Sequence, residues 1–163
     1  MGREAIRVAA MDFEWFNLPD ADYMARVTVR LVWAAALGGL IGAERESRGK
    51  FAGLRTQMTV SLAAAAFVIA GAETDNANLG RVIQGIAAGV GFLGAGTILK
   101  NWDEGVKGLT TAATIWLTAA IGVATGAGHG FMATVCVVIA WLILSIMTRI
   151  EDRIHGRHHG TGN

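Results

Sequence analysis

The side chains with most chemistry to offer stand in one short stretch, Gly42 to Thr56, and in two lysines further along the chain. Glu44-Arg45-Glu46-Ser47-Arg48-Gly49-Lys50 is followed by Phe51-Ala52-Gly53-Leu54-Arg55-Thr56. Glu44 is the only carboxylate close enough to the interior of an apolar run to count as intramembrane. Such a group is a functional candidate, because its charge is expensive to hold in lipid. Glu44 and Arg48 are four apart, so on a helix they face one another. Two readings follow. In one, the stretch is a solvated loop with ordinary ion pairs. In the other, Glu44, Arg45, Arg55 and Thr56 gather at two helix ends and pair among themselves or with Lys100 and Lys107, making a functional polar cluster.

Threonines supply the second polar feature. Thr110, Thr114 and Thr118 recur every four residues, with Thr111 beside the first. Their hydroxyls can bond back to their own helix. Alternatively they face the Gly91–Thr97 stretch, and Thr97, Thr110, Thr111, Thr114 and Thr118 line a polar seam. Other chemistry is missing. Gly89-Val90-Gly91-Phe92-Leu93-Gly94 fits G-x-G-x-x-G, but a dinucleotide turn needs a strand before it and an acidic residue about 20 positions on, and neither is evident. Gly94 to Lys100 lacks the spacing of a P-loop. The apolar part holds no Ser/His/Asp set, paired carboxylates or metal-ligand cluster. The expectation is a protein that is not an enzyme, with no cofactor, no nucleic-acid partner and no assignable metal. His155, His158 and His159 read as part of a mobile tail rather than a metal site.

The elements that must position these residues are membrane helices. Of 163 residues 53% are hydrophobic and 17% charged, against about 25% charged in a typical soluble domain. The charges fall in short blocks between five apolar runs, near Val27–Ala43, Thr56–Ala72, Val82–Leu99, Leu109–Thr125 and Phe131–Thr148. Each is at the short end of the roughly 17–25 residues that span a bilayer as a helix. The fold class is therefore an all-α, polytopic transmembrane bundle with five spanning helices. Residues 1–26 form an N-terminal segment, partly interfacial through Phe13, Trp15 and Phe16 and without the features of a signal peptide. Residues 27–148 form the membrane domain, and 149–163 a short tail. Pro19 and Asp20 mark a helix start.

The third run carries Gly85, Gly89, Gly91, Gly94 and Gly96. Each glycine costs a soluble helix about 1 kcal/mol, whereas lipid-embedded helices use such rows to approach closely. This run is read as the tightly packed centre, within one chain or across two, and a homodimer or higher oligomer in the lipid bilayer follows. Cys136, the single cysteine, reads as a buried, inert thiol. Arg30 reads as reaching the interface from inside helix one. Trp102 and Trp116 read as anchors or packing. Lys and Arg concentrate after helix one (Arg45, Arg48, Lys50, Arg55), after helix three (Lys100, Lys107) and in the tail (Arg149, Arg153, Arg157). The positive-inside rule makes these cytoplasmic, with the N-terminus outside despite Arg3, Arg7 and Arg26.

Three blocks occur in order: Glu44-Arg45…Gly49…Ala52-Gly53-Leu54-Arg55-Thr56, then Gly89-Val90-Gly91-Phe92-Leu93-Gly94-Ala95-Gly96, then Lys107-Gly108-Leu109-Thr110-Thr111-Ala112-Ala113…Trp116. Over about Tyr23 to Ile150 the chain resembles the MgtC/SapB family of bacterial inner-membrane proteins. The resemblance implies an outside N-terminus. It also implies a role in magnesium homeostasis or in acid and envelope stress, through modulation of another membrane complex such as the ATP synthase. It does not imply established magnesium transport. The alternative class is an oligomeric cation channel or transporter for magnesium or protons. Family members often place histidine after the Arg-Thr pair, where Gln57 stands, so no proton or metal role carries over to that position. Longer members add a soluble C-terminal domain, and this sequence is expected to represent the membrane part without it.

Overall fold

The computed structural model describes residues 19–74, 78–101 and 105–155. The N-terminal aromatic segment, Trp102 and the tail beyond His155 lie outside them. Five helices are present: α1 (Ala21–Ser47), α2 (Leu54–Thr74), α3 (Leu79–Ala95), α4 (Leu109–Gly126) and α5 (Gly130–His155). A two-stranded antiparallel hairpin, β1 (Leu99–Asn101) and β2 (Gly105–Lys107), joins α3 to α4. The all-α, five-helix bundle is as expected. Four of the helices are long and apolar enough to cross a membrane, and α3 is a shorter apolar helix of 17 residues.

Local signals explain the ends. α1 starts after Pro19, with the Asp20 carbonyl accepting the Met24 N–H at 3.0 Å and Asp22 in the first turn, where a negative charge complements the helix dipole. It stops in a Schellman cap. Gly49 takes φ +61°, its N–H donates to the Glu46 carbonyl, and the Lys50 N–H donates to the Arg45 carbonyl. α4 ends the same way at Gly128, with φ +87°. The apolar run of α3 continues to Leu99, but the helix stops at Ala95, because Thr97 turns back to the Gly94 carbonyl through both N–H and hydroxyl. Leu99 pairs instead with Lys107.

The helices alternate direction, so the α1–α2 turn, the hairpin and the end of α5 share one end of the bundle. This basic end carries Arg45, Arg48, Lys50, Arg55 and Lys107. α2 and α4 run parallel, and α1 packs antiparallel to α2. The centre of the bundle differs from expectation. Ten of the 18 residues of α4 are buried, against Val90 and Gly94 alone in α3. α4 packs against all four other helices. Its Ile121 and Ala124 meet Leu37 and Ile41 of α1 and Ala133 and Val137 of α5, while Ile115 and Ala119 meet Ala64 and Val90. Cys136 is free and half-buried against this core.

Close backbone contact is made by other glycines than those expected. On α1, a Cβ at Gly38 would lie 2.6 Å from the Gln57 carbonyl oxygen, and one at Gly42 would lie 2.6 Å from the Leu54 Cα. On α4, a Cβ at Gly122 would overlap the Ser61 carbonyl, and one at Gly126 would lie 2.6 Å from that of Ala65. Two Gly-x-x-x-Gly rows thus clamp α2 from both sides, the close approach that small residues permit. A Cβ at Gly85, Gly89 or Gly91 would meet nothing within 4 Å, and only Gly94 meets a neighbouring helix, at Ala112. Within one chain the glycine face of α3 is unfilled.

Candidate functional site

The clamp brings a polar column together near the basic end. Its outermost level is Glu44 and Arg45, both buried, with 7% and 3% of their surface exposed. Glu44 is ion-paired with Arg48 one turn on, as their spacing predicts. Arg45 crosses to α4 and donates from Nη2 to the Thr111 hydroxyl at 3.3 Å. One level in, Gln57 of α2 is wholly buried. Its Nε2 donates to the Ala52 carbonyl at 3.2 Å and to the Thr114 hydroxyl at 3.3 Å, and Thr114 donates in turn to the Thr111 carbonyl at 2.9 Å. A further turn along both parallel helices stand Ser61 and Thr118, each fully buried.

The loop between α1 and α2 is built to deliver these groups. Ala52 adopts φ +58°, a left-handed conformation uncommon for a residue with a Cβ, and its carbonyl is the acceptor for Gln57. The Glu46 carboxylate accepts the Leu54 N–H at 2.8 Å, capping the start of α2. At the other boundary Gly108 has φ +92°, and a Cβ there would overlap the Thr97 carbonyl. Only glycine fits where the hairpin turns into α4.

The column is not internally satisfied. Glu44 Oε2, Arg45 Nε, Gln57 Oε1, Ser61 Oγ and Thr118 Oγ1 are buried without a hydrogen-bond partner. Leaving such a group unmet costs about 1–3 kcal/mol. The free groups are mostly oxygens, suited to water or to a hard cation. Among the described residues no group of three or more His, Cys, Asp or Glu side chains gathers that could hold a metal.

The structure therefore brings together some of the candidates and separates others. Arg45, Thr111, Thr114 and Thr118 share the column, and Glu44 is buried next to Arg45 in the chain with Arg48 as its partner. Arg55 and Thr56 are exposed, so Arg55 does not complete a cluster with Glu44. Lys107 is exposed at the basic end, and the side chain of Lys100 lies outside the described residues. The threonine seam is corrected in register and direction. With 100° between residues, positions 111, 114 and 118 stay on one face, whereas a repeat of four drifts 40° at each step. Thr110 is thus exposed, and the hydroxyls of Thr111 and Thr114 bond to α1 and α2, not to α3. Thr97 bonds to the Gly94 carbonyl at 2.8 Å and takes no part. Gln57 and Ser61 were missed as a pair, although their spacing of four on an apolar helix was legible. Arg30 does not simply reach outward: at the opposite end its Nη1 donates to the Gly126 carbonyl at 3.1 Å, placing a cation on the C-terminus of α4.

Comparison with known proteins bears on what this arrangement serves. The sequence profile of the MgtC family matches residues 31–153. Protein MgtC of Salmonella typhimurium strain LT2 is 42% identical over 119 residues, covering 71% of this chain and 51% of the relative. Protein MgtC of Brucella abortus strain 2308 is 42% identical over 133 residues, covering 79% and 56%. The chain spans about half the length of the curated relatives it matches. No solved structure shows significant similarity to it.

Proposed function

The chain belongs to the MgtC family and is a multi-pass membrane protein, and from that premise we propose a regulatory role. In this reading it contributes to magnesium or other ion homeostasis, or to acid and envelope stress adaptation, by modulating another membrane complex such as the ATP synthase. It resides in the bacterial inner membrane with the basic end cytoplasmic and the N-terminus outside. The observation that carries the regulatory reading is the open glycine face of α3. Gly85 and Gly89 line an apolar groove of about 660 Å³ between α2 and α3, and a Cβ at either meets nothing within 4 Å. Small-xxx-small rows with no internal partner suit a transmembrane helix from outside the chain.

Site-specific cross-linking from the groove in native membranes tests this. A photoreactive residue replacing Phe67, which lines the groove and is exposed, is expected to capture another membrane protein. Gly89→Leu is expected to abolish that adduct while leaving the fold intact, since the added side chain enters open space. Adducts formed only with further copies of the chain would reduce the role to self-association.

A second reading, an oligomeric cation channel or transporter, has one observation in its favour: the free buried oxygens of Glu44, Gln57, Ser61 and Thr118. Magnesium prefers oxygen ligands and keeps several waters. Past Ser61, however, the column meets the tight contacts of Gly122 and Gly126 with α2. The regulatory reading expects no magnesium or proton flux above empty liposomes from folded, inserted protein. Flux abolished by Glu44→Gln would establish the transporter instead.

A further inference from the structure

We propose that the basic end holds the phosphate headgroup of an anionic phospholipid, in a cavity of about 560 Å³ between the end of α1, the start of α4 and α5. Three independent sources of positive charge converge there. Arg45 lines the cavity, is 3% exposed, and keeps its Nε without a partner while Nη2 is tied to Thr111. The N-terminus of α4 opens on the same space through Gly108, Thr110 and Thr111. No side chain caps it, and its first internal bond is Ala112 N–H to the Gly108 carbonyl, so the N–H groups before Ala112 have no acceptor within the helix. Lys50 and Lys107 complete the rim. A guanidinium held against the positive end of a helix dipole is an unfavourable arrangement until an anion joins it. Glu44 is the one carboxylate beside Arg45, and it is shared with Arg48, so one negative charge faces two guanidiniums and the cavity stays net positive.

The remaining wall selects a lipid over a free phosphate. Ile143 and Met147 of α5 line the cavity and are more than half exposed, on a helix that crosses the bilayer. Acyl chains descending from a phosphate at Arg45 would pass Met147 and then Ile143. A basic pocket opening onto an apolar, lipid-facing helix is a recurring way to hold anionic headgroups.

The test is native mass spectrometry of the full chain in detergent micelles, incubated with phosphatidylglycerol or with phosphatidylcholine at equal concentration. Wild type is expected to retain phosphatidylglycerol in preference. The double variant Lys50→Glu with Lys107→Glu is expected to retain about tenfold less, with unchanged circular dichroism and elution volume. Millimolar inorganic phosphate is expected to leave the lipid adduct in place. Equal retention of the two lipids, or undiminished retention by the charge-reversed variant, would overturn the proposal. Complete displacement by inorganic phosphate would assign the cavity to a free anion and overturn the lipid reading.

Discussion

Gln57 ties the α1–α2 loop to α4 with one amide, donating to Ala52 and to Thr114. Gln57→Leu keeps the volume and loses both bonds, so a loss of about 1–2 kcal/mol is expected, read as a lower thermal midpoint in detergent. Thr118 behaves differently, because its hydroxyl has no protein partner. Thr118→Val is close to isosteric and is expected to be neutral or stabilising by up to about 1 kcal/mol. A clear loss on that substitution would reveal a bound water or ion on Oγ1. At this scale the Glu44–Arg48 pair was legible, since its partners are neighbours in sequence. The bond from Arg45 to Thr111 was not, because 66 positions separate its ends and only the packing of α1 on α4 joins them.

Among the elements, three helices carry the same spacing and it means different things in each. Gly38-x-x-x-Gly42 and Gly122-x-x-x-Gly126 press on α2, while Gly85-x-x-x-Gly89 faces outward. Gly122→Ala is expected to destabilise by about 1–3 kcal/mol or more, as an overpacked contact against fixed backbone. Gly85→Ala is expected to raise stability by about 0.5–1 kcal/mol, from helix propensity alone. The pair is measured in one detergent by thermal unfolding. The number and order of the helices could be read from the apolar runs. Which glycine row does the packing could not, because spacing records the potential for close approach and not the presence of a neighbour. The same limit explains why the glycine-dense third run reads as the centre in sequence while the threonine helix occupies it in the fold.

For the whole molecule, the proposed orientation puts the two Schellman turns on opposite sides of the membrane. Cysteine placed at Lys50 in a Cys136→Ser background is expected to react with a membrane-impermeant maleimide only after the cells are opened. Cysteine at His129, exposed in the turn between α4 and α5, is expected to react in intact spheroplasts. Reversed labelling would invert the topology. The central position of α4 also bears on how the chain is made. It is the fourth helix to leave the ribosome, yet it alone supplies the hydroxyls that meet Arg45 and Gln57. Until it arrives, the newborn α1 and α2 present a guanidinium and an amide to the insertion machinery or the surrounding lipid. The cross-links from α1 and α2 to α4 therefore close only after synthesis has passed the hairpin.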